Sequence, residues 1–229
     1  MPTLSKRGAN GNFNRKRALS MYRIAVFASG SGTNAENLIR HFNLKEEGQF
    51  ARVTLVVCNK ADAFVLNRAK NLNVESIVMK KAELCLTEGH SAPTIVEVLK
   101  EHKIDIILLA GYLLQIPKDL ISLYPDRIIN IHPALLPSYG GKGMYGHKVH
   151  QALIGDMKKY LEENPDSPKD FYSGITVHLV DEEMDHGKIL FQSKFILSKD
   201  ETVESLEEKI HVQEQADYPR VAEAYLRGL

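Results

Sequence analysis

Arg23-Ile24-Ala25-Val26-Phe27-Ala28-Ser29-Gly30-Ser31-Gly32-Thr33-Asn34 passes from an apolar run through a glycine-rich turn into a helical pattern, with Leu38, Ile39 and Phe42 on one face. A strand that is apolar without alternation is covered on both faces, which is the habit of a central parallel strand. The pattern then repeats. Residues 52–58 form a Val-rich second strand, residues 64–71 a helix, 76–79 a short strand, 92–101 a helix and 104–110 another apolar run, broken only by Asp105. Apolar strands alternating with helices predict an α/β fold with a doubly wound, mostly parallel sheet, Rossmann-like in the N-terminal half. The second half is patterned differently. Residues 172–180 and 189–197 read as an antiparallel strand pair, followed by a C-terminal helix that starts near Thr202. Residues 157–169 are polar, contain proline and read as an exposed insertion.

In such sheets ligands sit outside the carboxyl ends of the strands. Three places therefore matter before any motif is weighed: the turns after Ala28 and after Ala110, and the segment around His132.

Composition narrows the function. With 29 basic and 29 acidic residues the chain is neutral, so neither a nucleic acid nor a membrane surface would attract it as a whole. Its two cysteines, Cys58 and Cys85, have no disulfide or zinc spacing, which points to a reducing cytoplasm. No apolar stretch approaches the roughly 20 residues that cross a bilayer. The first 20 residues carry Lys6, Arg7, Arg15, Lys16 and Arg17 and no acid. They are expected to be a disordered basic extension ahead of a functional start at Met21, with an organelle transit peptide as the alternative. Residues 21–229 are expected to form one domain.

The turn at residues 29–34 follows a strand and opens a helix, so its backbone N–H groups and the helix N-terminus can face an anion. It matches neither the dinucleotide fingerprint nor the nucleotide loop, whose Lys is missing; a phosphate monoester fits better than a pyrophosphate. A plain tight turn with Thr33 or Asn34 as the helix cap accounts for the same residues. Asn130-Ile131-His132-Pro133 ends a predicted strand. Residues two apart share a face, so Asn130 and His132 project together while Ile131 enters the core. An amide beside an imidazole can stabilise an oxyanion and move a proton, and it can equally anchor a turn. His178 lies on a strand and Asp185 follows in the hairpin loop, where a carboxylate is ordinarily a solvated turn residue. Residues 140–143 resemble a phosphate loop but join no strand to a helix, and read as a mobile loop. His147 and His150 have no nearby third ligand, so no metal is expected.

Together these segments resemble the glycinamide ribonucleotide formyltransferases. The resemblance is carried by residues 28–34, by Cys58-Asn59-Lys60-Ala61-Asp62-Ala63, by Leu109-Ala110-Gly111-Tyr112, by Asn130-Ile131-His132-Pro133-Ala134-Leu135-Leu136-Pro137 and by residues 177–185. It covers the chain from about Tyr22 to near its end. It implies formyl transfer from 10-formyltetrahydrofolate, the co-substrate, to the amine of phosphoribosylglycinamide in purine synthesis. Gly32, Thr33, Asn34 and Glu214 would then hold the ribonucleotide. Leu113, Leu114, Gln115 and Ile116, with Asn130, Asp181, Glu182, Glu183, Met184 and Asp185, would hold the folate. Asn130, His132 and Asp185 would form the catalytic set, with a protonated His132 facing the developing oxyanion. The chain departs from the family's usual Ser at Ala134, from its Met-Arg-Ile-Leu at residues 113–116, and from an Arg near Glu88.

A methionyl-tRNA formyltransferase would need a further C-terminal domain and a basic face, and a formyltetrahydrofolate deformylase a regulatory domain ahead of the core. A sugar-nucleotide formyltransferase stays open as an alternative, although the phosphate turn speaks against it, and a mere phosphosugar binder has no need of the catalytic set. The expected partners are small molecules, in a monomer or a homodimer.

Overall fold

The computed structural model describes residues 21–45, 47–84, 93–167 and 169–229. The N-terminal extension, Cys85 and Glu88 lie outside the described residues. The elements are β1 (Tyr22–Ala28), α1 (Thr33–Asn43), β2 (Ala51–Cys58), α2 (Val65–Asn71), β3 (Glu75–Val78), α3 (Ile95–Glu101), β4 (Ile106–Leu109), α4 (Lys118–Leu123), β5 (Ile128–His132), α5 (His147–Glu163), β6 (Tyr172–Leu179), β7 (Ile189–Ile196) and α6 (Val203–Arg227). They build one seven-stranded sheet in the order β3-β2-β1-β4-β5-β6-β7. The first five strands run parallel; β6 and β7 pair antiparallel, as the sequence predicts.

The sheet separates two apolar layers, and β1 shows how. Ile24, Val26 and Ala28 face one layer while Ala25 and Phe27 face the other, all of them inaccessible to solvent. Burying each such Val, Ile or Phe is worth about 1.5–3 kcal/mol, which is why the run tolerates no polar residue. The first layer is filled from α1, α5 and α6, by Leu38, Phe42, Leu153, Met157, Leu206 and Tyr218 among others. The second is filled from α3 and α4, by Ile95, Leu99 and Leu120.

Two readings change. The supposed insertion at residues 157–169 is in its first part helix: α5 runs to Glu163, and Met157 is 1% exposed against the core. Prolines at positions 165 and 168, and the many charged residues throughout the stretch, mask the helix before Glu163. The helix expected at residues 92–101 starts at Ile95, because Thr94 caps it in a reciprocal box with Glu97.

Helix α6 closes the fold. The hydroxyl of its buried Tyr218 donates to the carbonyls of Leu109 and Ile129, at 2.9 and 3.1 Å, and so ties the helix to β4 and β5. Helices α1 and α6 are also joined directly, through Asn37 Nδ2 to the Gln215 carbonyl at 2.6 Å.

Candidate active site

Strand order reverses between β1 and β4, and the cleft opens beyond their carboxyl ends, where an α/β sheet places its ligands. Two hydrogen bonds set its floor. The Ser29 N–H donates to the Gly111 carbonyl at 3.1 Å, and the Leu113 N–H donates to Ser29 Oγ at 2.9 Å. The turn after β1 is thereby fastened to the turn after β4. The cleft measures about 770 Å³ and is lined by residues from all three predicted places together with the β6–β7 loop and α6.

At one end stands the glycine-rich turn. Gly32 holds φ +78°, and a Cβ there would lie 2.4 Å from Val65 Cγ2. Neither Thr33 nor Asn34 caps α1; the N-cap is Gly32, with no side-chain bond. Asn34 is used elsewhere. Its Nδ2 donates to Glu214 Oε2 at 2.9 Å, and its Oδ1 accepts from Gln215 Nε2 at 2.5 Å. Replacing Gly32 by alanine is therefore expected to destabilise the protein by about 1–3 kcal/mol, through left-handed strain plus the Val65 clash. Urea unfolding reads this directly, and an unchanged midpoint would mean that the turn is slack.

The other end is built by register. Strands β5 and β6 pair Asn130 opposite His178, and the β6–β7 loop returns Asp185 over both. Asn130 Nδ2 lies 3.1 Å from His178 Nε2 and 3.5 Å from Asp185 Oδ1. On the opposite oxygen, Asp185 Oδ2 is 3.6 Å from His132 Nδ1 and accepts the Gly141 N–H at 2.9 Å. His132 Nε2 faces the Tyr139 carbonyl at 2.9 Å. A carbonyl only accepts, so Nε2 carries the proton and Nδ1 is left towards Asp185. By the same logic His178 Nδ1 donates to the Leu179 carbonyl at 2.8 Å, which leaves its Nε2 to accept from Asn130. Tyr139 and Asp185, the two residues that face His132, both hold left-handed backbone, at φ 56° and 59°. Such conformations are costly and cluster where side chains must be aimed.

Burial and a neighbouring charge compete at His132. Burial lowers the His132 pKa below 6.5 and outweighs the opposing pull of the Asp185 charge and the Tyr139 carbonyl. The imidazole thus leans to its neutral form before substrate enters. Burial pushes the Asp185 carboxyl up, but His178, His132 and the Gly141 N–H together hold it below the ordinary carboxylate range. The pair is a neutral imidazole beside a carboxylate, ready to take a proton when negative charge arrives.

All of the sequence-predicted site residues line this one cleft, Gly32, Thr33, Asn34 and Glu214 at one end and Asn130, His132 and Asp185 at the other. Residues 113–116 and 181–184 form the walls between. Their exposure differs: Leu113 is 45% exposed, whereas Ile116, at 4%, belongs mainly to the core beneath. Asp181 and Glu182 already have partners, the Glu183 N–H at 2.9 Å and Lys118 Nζ at 2.5 Å, and these bonds shape the loop. Sequence reasoning passes over His178 as a partner of Asn130. It also sets aside residues 140–143, although the Gly141 N–H grips Asp185. Among the described residues no group of acids, histidines and cysteines suited to a metal is present.

The formyl transferase family model matches residues 22–222. The chain belongs to the formyl transferase family. It is 36% identical to the phosphoribosylglycinamide formyltransferase of Bacillus subtilis over 90% of this chain and 95% of that one. It is 37% identical to the chloroplastic phosphoribosylglycinamide formyltransferase of Arabidopsis thaliana over 88% of this chain. The chain spans 64% of that plant relative's length and 60% of its counterpart from Vigna unguiculata. The solved phosphoribosylglycinamide formyltransferase of Brucella melitensis superposes with a TM-score of 0.73 at 32% identity, covering 92% of this chain and 98% of that one. That coverage takes in the antiparallel strands and the C-terminal helix, which complete the cleft.

Proposed function

We propose that this chain transfers the formyl group of 10-formyltetrahydrofolate to the amine of 5'-phosphoribosylglycinamide, giving the formylated ribonucleotide and tetrahydrofolate in purine synthesis. The observation that carries the proposal is one cleft with two chemically different ends. One has a glycine-rich turn and the Asn34–Glu214 pair, suited to a phosphorylated sugar; the other has Asn130, His132 and Asp185. Its volume of about 770 Å³ admits two ligands meeting between the ends.

The chemistry follows from the side chains. The amine nitrogen attacks the formyl carbon, and a C–N bond forms as the carbonyl oxygen gains charge. The Asn130 amide and the His132 imidazole stabilise that oxygen, Asn130 as a donor and His132 by becoming charged as the oxyanion does. The proton that charges His132 is the one lost from the attacking amine; taken at Nδ1, it lies against Asp185 Oδ2, which compensates it. The bond from the formyl carbon to the folate nitrogen then breaks. The proton lost from the amine passes, by way of Asp185 and water, to that leaving nitrogen. The residues of the 113–116 and 181–184 segments hold the folate, and no side chain forms a covalent intermediate. A free, buried thiol such as Cys58 is ordinary in a reducing cytoplasm, where we place the reaction.

The test is incubation with 10-formyltetrahydrofolate, with and without glycinamide ribonucleotide. Folate turnover only in the presence of the ribonucleotide is the expected result. Turnover without it would reveal a deformylase, and none with either would leave a binder or a different acceptor.

A further inference from the structure

His150 takes no part in the chemistry above. It lies in the first turn of α5, is 3% exposed, and lines the cleft. Its Nδ1 is buried with no hydrogen-bond partner. An unpaired, buried polar atom costs free energy and calls for a reason. The charged and titratable groups facing the ring are Glu207 and Glu214 from α6, His147 from its own helix and His132 from β5. His150 thus lines the cleft within electrostatic reach of Glu214 at one end and of His132 at the other.

The charge of the cleft supplies the reason. Glu204, Glu207, Glu208 and Glu214 line its α6 side, and no Lys or Arg is among its described lining residues. A phosphate monoester brings about −1.5 to −2 charges at pH 7, so it arrives against like charge. The backbone N–H groups of the glycine-rich turn orient it but add no net charge. Imidazole is the side chain that turns cationic near neutral pH when an anion comes close. His211 does not fill this role by changing state, because its contact with Glu214 already raises its pKa. His150 has the opposite bias: burial lowers it, and Glu207 and Glu214 only partly offset this.

We propose that His150 is a binding residue for the phosphorylated end of the acceptor, gaining a proton and donating a hydrogen bond to it when the acceptor enters. The proposal rests on the function given in the preceding section. The proton comes from solvent, so acceptor binding takes up about one proton per site.

Calorimetry of glycinamide ribonucleotide binding to the full chain, in buffers of different ionisation enthalpy at pH 7.5, is expected to show that uptake. His150→Gln, which keeps a donor but not the charge, is expected to remove the uptake. It should also raise the ribonucleotide KM roughly 10- to 100-fold, the worth of one charged hydrogen bond, with the folate KM unchanged. The dephosphorylated riboside should feel the substitution far less. Absence of proton uptake by the wild type overturns the proposal even if the variant does not fold. So does an equal penalty on the phosphorylated and dephosphorylated acceptors. If the wild type does not turn over the ribonucleotide at all, the functional reading falls first; normal wild-type turnover with an unaffected variant sinks this proposal alone.

Discussion

His132→Ala is expected to cut turnover by about 10²–10⁴-fold, the usual worth of a positioned acid–base group, while folate binding stays close to normal. The reasoning is spatial. His132 is almost fully buried and meets the cleft only beside Asp185 and the Tyr139 carbonyl. The walls assigned to folate are anchored separately, through Ser29 to Leu113 and through Lys118 to Glu182. Removing the imidazole leaves a void and an unpaired Tyr139 carbonyl, so stability will fall as well. His132→Gln fills the volume and keeps a donor, and is expected to recover stability without recovering turnover. Single-turnover rates set beside equilibrium folate binding separate the two effects. Near-wild-type turnover in either variant would end the assignment of His132.

Asp185→Asn should be nearly as damaging, at about 10²–10³-fold in kcat with little change in either KM. Asparagine tolerates the left-handed backbone of position 185 and keeps its size. What it loses is the charge that opposes the effect of burial on His132. The His132 pKa, already below 6.5, should fall further, and NMR titration of the ring would show it. Stability changes with a definite sign too. The depressed pKa of Asp185 means that its carboxylate stabilises the native state above the ordinary carboxylate range, and that this is lost as pH falls through the folded value. Stability measured from about pH 6 down to about pH 3 should therefore decline more steeply for the wild type than for Asp185→Asn. Parallel curves would mean that the carboxylate is not gripped as described.

The parallel half was legible because its signals are local. An uninterrupted run such as Ile24–Ala28 states its own burial, and the spacing of Asn130 and His132 states their common face. The register of an antiparallel pair is not local. Nothing in the order of residues says that Asn130 lies opposite His178, because either strand can slide by two and keep its faces. Asp185 reaches the site from a loop, and only resemblance singles it out; the geometry then supplies its two imidazole neighbours. Gly141 escapes notice because it contributes a backbone N–H, which every non-proline residue has and which only placement makes useful. The protonation of His132 is hidden for another reason: sequence shows which charges are present and not how much water has been removed around them.

The bond from Tyr218 to the Leu109 and Ile129 carbonyls has a consequence for selectivity. Glu214 precedes Tyr218 by four residues, about one helical turn or 6 Å along α6. Asn130 directly follows Ile129. Glu214, proposed for the sugar, and Asn130, proposed for the reacting carbon, are therefore mounted on the same bolt, one turn above it and one residue beyond it. On the proposed function this makes the cleft a fixed gauge, and an acceptor one methylene too long or too short is expected to lose about 10- to 200-fold in kcat/KM.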